Sequence, residues 1–151
     1  MKQGRNLLDA VLLVVLAGLI APCQAQTAPQ DRTRWAGEAK NVTIVRDDWG
    51  IAHIHGKTDA DAVFGMIYAQ CEDDFNRVET NYLNAMGRLA ETEGEGKVYQ
   101  DLRMKMFIDP EDLKKEYAAS PEWLQTLMNA FADGANFYLA KHPEVKRTFG
   151  R

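Results

Sequence analysis

A hydrolytic enzyme needs a nucleophile, and the sequence offers one serine, Ser120, and one cysteine beyond its first 25 residues, Cys71. A serine hydroxyl attacks only when a neighbouring base accepts its proton. Ser120 lies instead before Pro121 at a predicted helix start, where it is expected to cap the helix, and no G-x-S-x-G motif occurs. A reactive thiol needs electropositive surroundings, whereas three acidic residues, 72–74, follow Cys71. We therefore predict no catalytic residue in this chain and a buried, structural role for Cys71.

A pair of histidines offers the other chemistry, because His53 and His55 alternate within a predicted strand and would point to one face. Two imidazoles can serve as zinc ligands, so a metal-dependent hydrolase built on them is one hypothesis. The third histidine, His142, is far away in the sequence. The acidic runs at 72–74 and 91–95 do not match a twelve-residue calcium loop. Surface exposure or hairpin packing is the competing interpretation of the pair, and we predict no metal-binding residue.

The element that would position the histidine pair is a β-hairpin. Residues 42–46 are rich in β-branched side chains, and Asp47-Asp48-Trp49-Gly50 is typical of a turn. The extended pattern resumes at Ile51 and stops at Gly56. Because an isolated hairpin is only marginally stable in water, it must pack against something else.

Helices are predicted after the hairpin. A long one begins at Thr58, whose hydroxyl can cap the first turn, and its apolar positions recur every three or four residues as far as Leu89. Two glycines at 94 and 96 are expected to end it. Shorter helices begin at Asp109-Pro110 and at Ser120-Pro121, and the last ends at His142-Pro143. The predicted fold class is α+β and mostly helical, with one β-hairpin followed by three or four helices.

The first 25 residues have the layout of a secretory signal peptide. Lys2 and Arg5 precede an apolar run over 7–20, and small residues surround a cleavage point near Cys23. We expect residues 1–25 to be removed on export, residues 26–41 to form a flexible lead-in, and residues 42–151 to form an incomplete domain. The alternatives are a lipoprotein signal lipidated at Cys23, which Pro22 disfavours, and an uncleaved membrane anchor. The expected location is periplasmic or secreted, with no membrane attachment after cleavage.

The composition excludes some partners. The 151 residues are 46% hydrophobic and 26% charged, as in an ordinary globular protein. The formal net charge is −4, which argues against binding to nucleic acid or to an anionic membrane surface.

Four segments together are similar to one enzyme family, the penicillin acylases (penicillin amidases), of which the acyl-homoserine-lactone acylases are relatives. The segments are 42–54, 65–73, 87–91 and 130–136, and they resemble, in this order, the amino-terminal part of the family's α chain. Two positions depart from the family pattern. Ala52 stands where a proline usually precedes histidine, and Asp74 stands where an arginine often follows the acid.

The resemblance implies a larger αββα fold of the N-terminal-nucleophile hydrolases. It also implies an exported precursor that cuts itself into an α chain and a β chain, with a serine at the new β-chain amino terminus as nucleophile, outside this chain. The implied reaction cleaves linear amide bonds of small N-acyl compounds, such as β-lactam side chains or acyl-homoserine lactones. The implied partners are the rest of the α chain and the β chain. A structural Ca²⁺ is implied for the full-length enzyme, and no cofactor is expected in this chain.

The resemblance assigns scaffold roles to eight residues and leaves the substrate-binding residues unknown. Arg46, Asp47 and Gly50 are expected to shape the hairpin; Tyr68, Gln70 and Glu72 to face the rest of the enzyme; Arg88 and Glu91 to close the long helix. The alternative hypothesis is a complete, small, exported helical binding or interaction protein without catalytic activity.

Overall fold

The computed structural model describes residues 29–148, so the predicted signal peptide, 1–25, lies outside the described residues. Within 29–148 the chain forms one antiparallel hairpin and six α-helices, which confirms a mostly helical α+β fold and adds helices to the expected number. The elements are α1 (Pro29–Ala39), β1 (Val42–Arg46), β2 (Ala52–Gly56), α2 (Asp59–Ala85), α3 (Ala90–Glu93), α4 (Val98–Phe107), α5 (Pro110–Ala119) and α6 (Glu122–Lys141), with a 3₁₀ turn at Glu95–Lys97. None of the helices in this range is long and apolar enough to cross a bilayer.

The prediction of a flexible lead-in over 26–41 is wrong for residues 29–39, which form α1. The helix is held by Trp35, which is only 4% exposed and packs in one cluster with Phe64 of α2 and Ala130 of α6. Both partners are remote in the sequence. Helix α1 contains few apolar residues and is buried through one aromatic side chain, so its sequence alone indicates a flexible segment.

The hairpin is confirmed, with Val42 opposite Gly56 and Arg46 opposite Ala52. It packs on α2 at Gly65, the first residue of the second family-like segment. A Cβ atom at Gly65 would lie 2.5 Å from Val42 Cγ1 and 2.8 Å from Ile54 Cγ2, closer than side-chain packing allows. The missing side chain therefore lets the helix lie directly against the sheet.

The long helix begins as predicted. Thr58 Oγ1 accepts a hydrogen bond from Asp61 N at 3.2 Å, and Asp61 Oδ2 accepts one from Thr58 N at 3.1 Å, which is a capping box. The helix is interrupted at Asp74, whose backbone is extended. The Asp74 carboxylate accepts a hydrogen bond from Arg77 N at 3.0 Å and so caps the helical turn that follows. The position that departs from the family pattern thus divides α2 into two parts.

The predicted end of α2 at the glycines 94 and 96 is wrong, because the helix ends at Ala85. Gly87 adopts a left-handed φ of +62°, which favours glycine. Gly87 N donates to Asn84 O at 3.0 Å, and Arg88 N donates to Leu83 O at 2.8 Å, the two bonds of a Schellman motif. The apolar stripe continues past this point in the sequence, so periodicity alone overstates the length of the helix.

The core lies between α2 and α6. One cluster contains Trp35, Phe64 and Ala130, and a second contains the buried side chains of Ile67, Cys71 and Tyr138. The two helices approach closely at Gly134, where an added Cβ would lie 2.4 Å from Phe64 O. Helix α4, which the sequence analysis did not predict, has a largely exposed apolar surface.

Candidate functional site

The lone serine has a structural role that differs from the predicted one. Ser120 Oγ donates a hydrogen bond to Tyr117 O at 2.6 Å, so it serves the last turn of α5. The residue at the cap position of α6 is Pro121, which has no side-chain donor or acceptor. The prediction that Ser120 caps the following helix is therefore wrong. The Ser120 hydroxyl thus donates to a backbone carbonyl, which cannot act as the base that a serine nucleophile needs.

The cysteine fits the predicted buried role. Cys71 is 1% exposed and packs with Ile67 and Tyr138. Burial raises the pKa of the thiol to about 11, because the thiolate would lose its hydration. At neutral pH the thiol is therefore protonated and a poor nucleophile.

The two strand histidines lie on the exposed face of β2, as alternation predicts. His53 Nε2 is 3.2 Å from Asp47 Oδ2, and the hydrogen bond from His53 is the main reason that the pKa of Asp47 is lowered. His142 lies at the end of α6, where its ring packs on Tyr138 with the centroids 4.5 Å apart. Within residues 29–148 no group of three His, Cys, Asp or Glu side chains is placed to hold a metal ion.

The hairpin turn is built by the residues of the first family-like segment. The Asp47 carboxylate accepts hydrogen bonds from the backbone N–H of Trp49 at 3.0 Å and of Ile51 at 2.9 Å. Gly50 has a φ of +80°, in the left-handed region that favours glycine. Asp47 and Gly50 thus fix the turn and leave Trp49 at its tip, 86% exposed.

Arg46 joins this turn to α2. Its guanidinium donates to Gly50 O at 2.9 Å and to Glu72 Oε2 at 3.2 Å, and it pairs with Asp73 Oδ1 at 2.8 Å. One cation is thus shared by two carboxylates from the second family-like segment. The junction borders a cavity of about 490 Å³, lined by Arg46, Gly50, Glu72, Asp73, Tyr138 and His142. Its charged groups pair with one another and hold the hairpin on the helix.

Two other residues with expected scaffold roles differ in burial. Tyr68 packs within the chain, with its ring centroid 5.7 Å from those of both Phe137 and Tyr138. Gln70 is exposed on α2. Of the three residues expected to face the rest of the enzyme, Gln70 alone has a largely free side chain, since Glu72 binds Arg46.

The third family-like segment turns the chain after α2. Arg88 forms a bidentate pair with Glu91, with its Nε and Nη2 at 2.7 and 2.8 Å from the two carboxylate oxygens. Asp101 of α4, which is buried, accepts hydrogen bonds from Leu89 N at 2.9 Å and Ala90 N at 2.7 Å. The sequence analysis missed Asp101, because its role depends on a contact across a turn of irregular length.

The fourth family-like segment contributes a buried acidic side chain that binds α1. Asp133 accepts hydrogen bonds from the guanidinium of Arg34 and, at 2.8 Å, from Trp35 Nε1. Sequence reasoning missed this residue, although a signal was available. Asp133 shares the buried face of α6 with Ala130 and Gly134, at helical spacing, and an acid on a buried face implies a buried partner.

Large apolar side chains remain exposed outside this core. Tyr99 is 85% exposed, and Leu102, Met106 and Phe107 of α4 are exposed as well. Tyr99, Leu102 and Met106 follow one another at helical spacing and share one face. We call these three residues the α4 apolar face. A face of this kind is typical of a surface that another polypeptide covers.

Comparison with known proteins places these features in a family context. The family model described as penicillin amidase matches residues 41–149, a range that includes all four family-like segments. An acyl-homoserine lactone acylase (QuiP) of Pseudomonas fluorescens strain Pf0-1 is 31% identical over 108 residues, which are 72% of this chain and 13% of that protein. The penicillin acylase 2 proenzyme of Pseudomonas sp. strain SE83 is 25% identical over 114 residues, 76% of this chain and 15% of the proenzyme.

A solved structure has the same fold. The thermostable penicillin G acylase of Alcaligenes faecalis superimposes with a TM-score of 0.62 at 21% identity, covering 73% of this chain and 58% of the matched chain. The present chain spans only a small part of the length of the curated relatives that it matches. The share is 13% for the acyl-homoserine lactone acylase and 15% for the proenzyme named above.

Proposed function

Since residues 41–149 match its family model, this chain belongs to the penicillin amidase family, and we propose that it supplies the amino-terminal part of the α chain of an exported acylase. The proposed enzyme hydrolyses linear amide bonds of N-acyl compounds, with β-lactam side chains and acyl-homoserine lactones as the candidate substrates. The observation that carries the proposal is the 31% identity to a named acylase over 72% of this chain. The family model agrees with it, since its match over residues 41–149 includes the four family-like segments.

The proposed nucleophile is a serine at the amino terminus of a separate β chain, outside this chain. The state of Ser120 and Cys71 supports this, because one hydroxyl serves a helix end and the thiol is buried and protonated. An amino-terminal residue carries its own base, since a free α-amino group titrates near pH 8 and can accept the hydroxyl proton. In this proposal the present chain contributes scaffold rather than reacting groups.

The proposed partners are the rest of the α chain and the β chain of the same precursor. The α4 apolar face, Tyr99, Leu102 and Met106, would be covered by that remaining polypeptide. The small share of the relatives' length that this chain spans supports an occupant from the same precursor rather than an unrelated protein.

Export, processing and calcium are further parts of the proposal. We propose that a signal peptide over 1–25 directs the precursor to the periplasm or the medium, where self-cleavage activates it. The structural Ca²⁺ that the family resemblance implies would belong to the full-length enzyme. We propose that its ligands lie outside this chain.

The experiment is to express the coding sequence that begins with this chain and continues downstream, and to assay two amides. The expected result is release of the acyl group from a phenylacetyl anilide or from an N-acyl-homoserine lactone by the longer polypeptide, and no release by residues 1–151 alone. Activity of the 151-residue chain by itself would contradict the proposal. So would a downstream sequence that encodes no acylase.

The competing function is a small binding protein that keeps only this helical layer. The observation in its favour is that α1, the hairpin, α2 and α6 already enclose two buried clusters. In that case the 151-residue chain should be monomeric and should not bind a dye specific for exposed apolar surface. Our proposal predicts strong dye binding that falls when Tyr99 and Met106 are both replaced by serine.

A further inference from the structure

Helix α1 carries a carboxylate in an unusual setting. Glu38 Oε1 accepts a hydrogen bond from Arg34 Nη1 at 3.2 Å. The other oxygen, Oε2, is shielded from solvent and is the one buried side-chain nitrogen or oxygen atom within residues 29–148 that lacks a hydrogen-bond partner. An ionised oxygen without a donor is costly to bury, whereas a protonated one can itself donate.

The surroundings of Glu38 contain more negative than positive charge. A cavity of about 220 Å³ lies at the contact of α1, α2 and α6, and the charged groups that line it are Arg34, Glu38, Asp61 and Asp133. Arg34 is the only cation among them, and it already donates two hydrogen bonds to Asp133. Asp61 is engaged by the Thr58 cap and by Asn41 Nδ2 at 3.3 Å. None of these groups donates a hydrogen bond to Glu38 Oε2.

We propose that Glu38 makes the docking of α1 pH-dependent: the helix is held most firmly when this carboxyl is protonated and more loosely once it is ionised. The same helix carries Trp35 and Arg34, so its docking determines whether Asp133 of α6 keeps both of its partners. This pH dependence arises from residues of this chain and does not depend on the proposed enzymatic function.

The direction of the effect follows from linkage. The pKa of Glu38 is raised, chiefly because burial penalises the charged form, and further by Asp133 and Asp61, against a smaller opposing effect of Arg34. A raised folded-state pKa means that folding favours the proton-bound form. The stabilisation is therefore complete below the unfolded-state pKa of a glutamate and is lost as the pH rises through the folded-state value.

The test is hydrogen exchange of peptides from 29–39 in the full 151-residue chain, compared between the parent and Glu38→Gln at each pH from 4 to 8. Comparison at equal pH cancels the intrinsic pH dependence of exchange. We expect equal rates near pH 4 and faster exchange in the parent at higher pH, by about tenfold for each pH unit by which the pKa is raised. Glu116→Gln, an exposed glutamate on α5, is the matched control and should follow the parent.

A parent-to-variant ratio that stays constant from pH 4 to pH 8 would overturn the proposal. The same would hold if Glu116→Gln changed exchange in 29–39 as much as Glu38→Gln does. Glu38→Met, which is uncharged as well, should behave like the glutamine variant. Because the proposal requires that an uncharged side chain be tolerated at position 38, a failure of both variants to fold would also count against it.

Discussion

Replacing Trp35 with alanine is expected to lower the free energy of unfolding by about 3–5 kcal/mol, the usual cost of removing a buried aromatic side chain. Trp35 is 4% exposed, packs on Phe64 and Ala130, and donates from Nε1 to Asp133 at 2.8 Å. Its loss removes the apolar contacts and leaves a buried carboxylate with one partner fewer. Urea unfolding followed by far-ultraviolet circular dichroism measures the change.

Trp49→Ala is the matched control, because it deletes the same atoms from the exposed tip of the hairpin. Its effect on the stability of this chain should stay within about 0.5 kcal/mol. Equal effects of the two substitutions would mean that Trp35 does not hold α1 against α2 and α6. Residues 29–39 would then be the flexible lead-in that the sequence predicts.

The second large effect is expected at Gly134. An alanine there would place its Cβ 2.4 Å from Phe64 O and 2.5 Å from Ile67 Cγ2, so α6 would have to move away from α2. We expect a loss of about 1–3 kcal/mol, the usual cost of overpacking, despite the better helix propensity of alanine. Thermal unfolding should show a lower melting temperature.

Gly37→Ala provides the control for helix propensity. Gly37 also lies inside a helix, but a Cβ there meets nothing within 4 Å. The substitution should stabilise the chain by about 0.5–1 kcal/mol. If Gly134→Ala stabilised the chain to the same extent, the result would contradict the close approach of α2 and α6 at this position.

The parts of the fold that the sequence could predict are those with local causes. The hairpin follows from β-branched residues around a turn, and the start of α2 follows from the hydroxyl and acid of Thr58 and Asp61. The start of α5 at Asp109-Pro110 follows from the same kind of cap, since Asp109 Oδ1 accepts a hydrogen bond from Glu111 N at 2.8 Å.

The parts that it could not predict depend on distant residues. Helix α1 exists because Trp35 and Arg34 reach Asp133, almost a hundred residues later in the chain. The end of α2 has no periodic signal, because Gly87 is a single glycine within an apolar stripe. Ser120 lies where two helices meet, and its position in the sequence does not decide which of them uses its hydroxyl.

The four family-like segments acquire a physical meaning in the structure. The first builds the turn around Asp47, and the second supplies Gly65 and the acids that bind Arg46. The third makes the chain reversal at Gly87, and the fourth contributes Asp133 and Gly134 to the contacts of α6. Each segment thus joins two elements of the fold, so the resemblance of this chain to its relatives lies in residues that hold the fold together.

The most direct test of the central claim is to locate the nucleophile by covalent labelling. The longer polypeptide would be treated with a sulfonyl fluoride, which modifies activated serine hydroxyls, and the modified peptide would be identified by mass spectrometry. Our account predicts loss of amide hydrolysis together with a label on an amino-terminal serine of a separate chain, beyond residue 151. A label on Ser120 or on Cys71 that accompanies the loss of activity would contradict it.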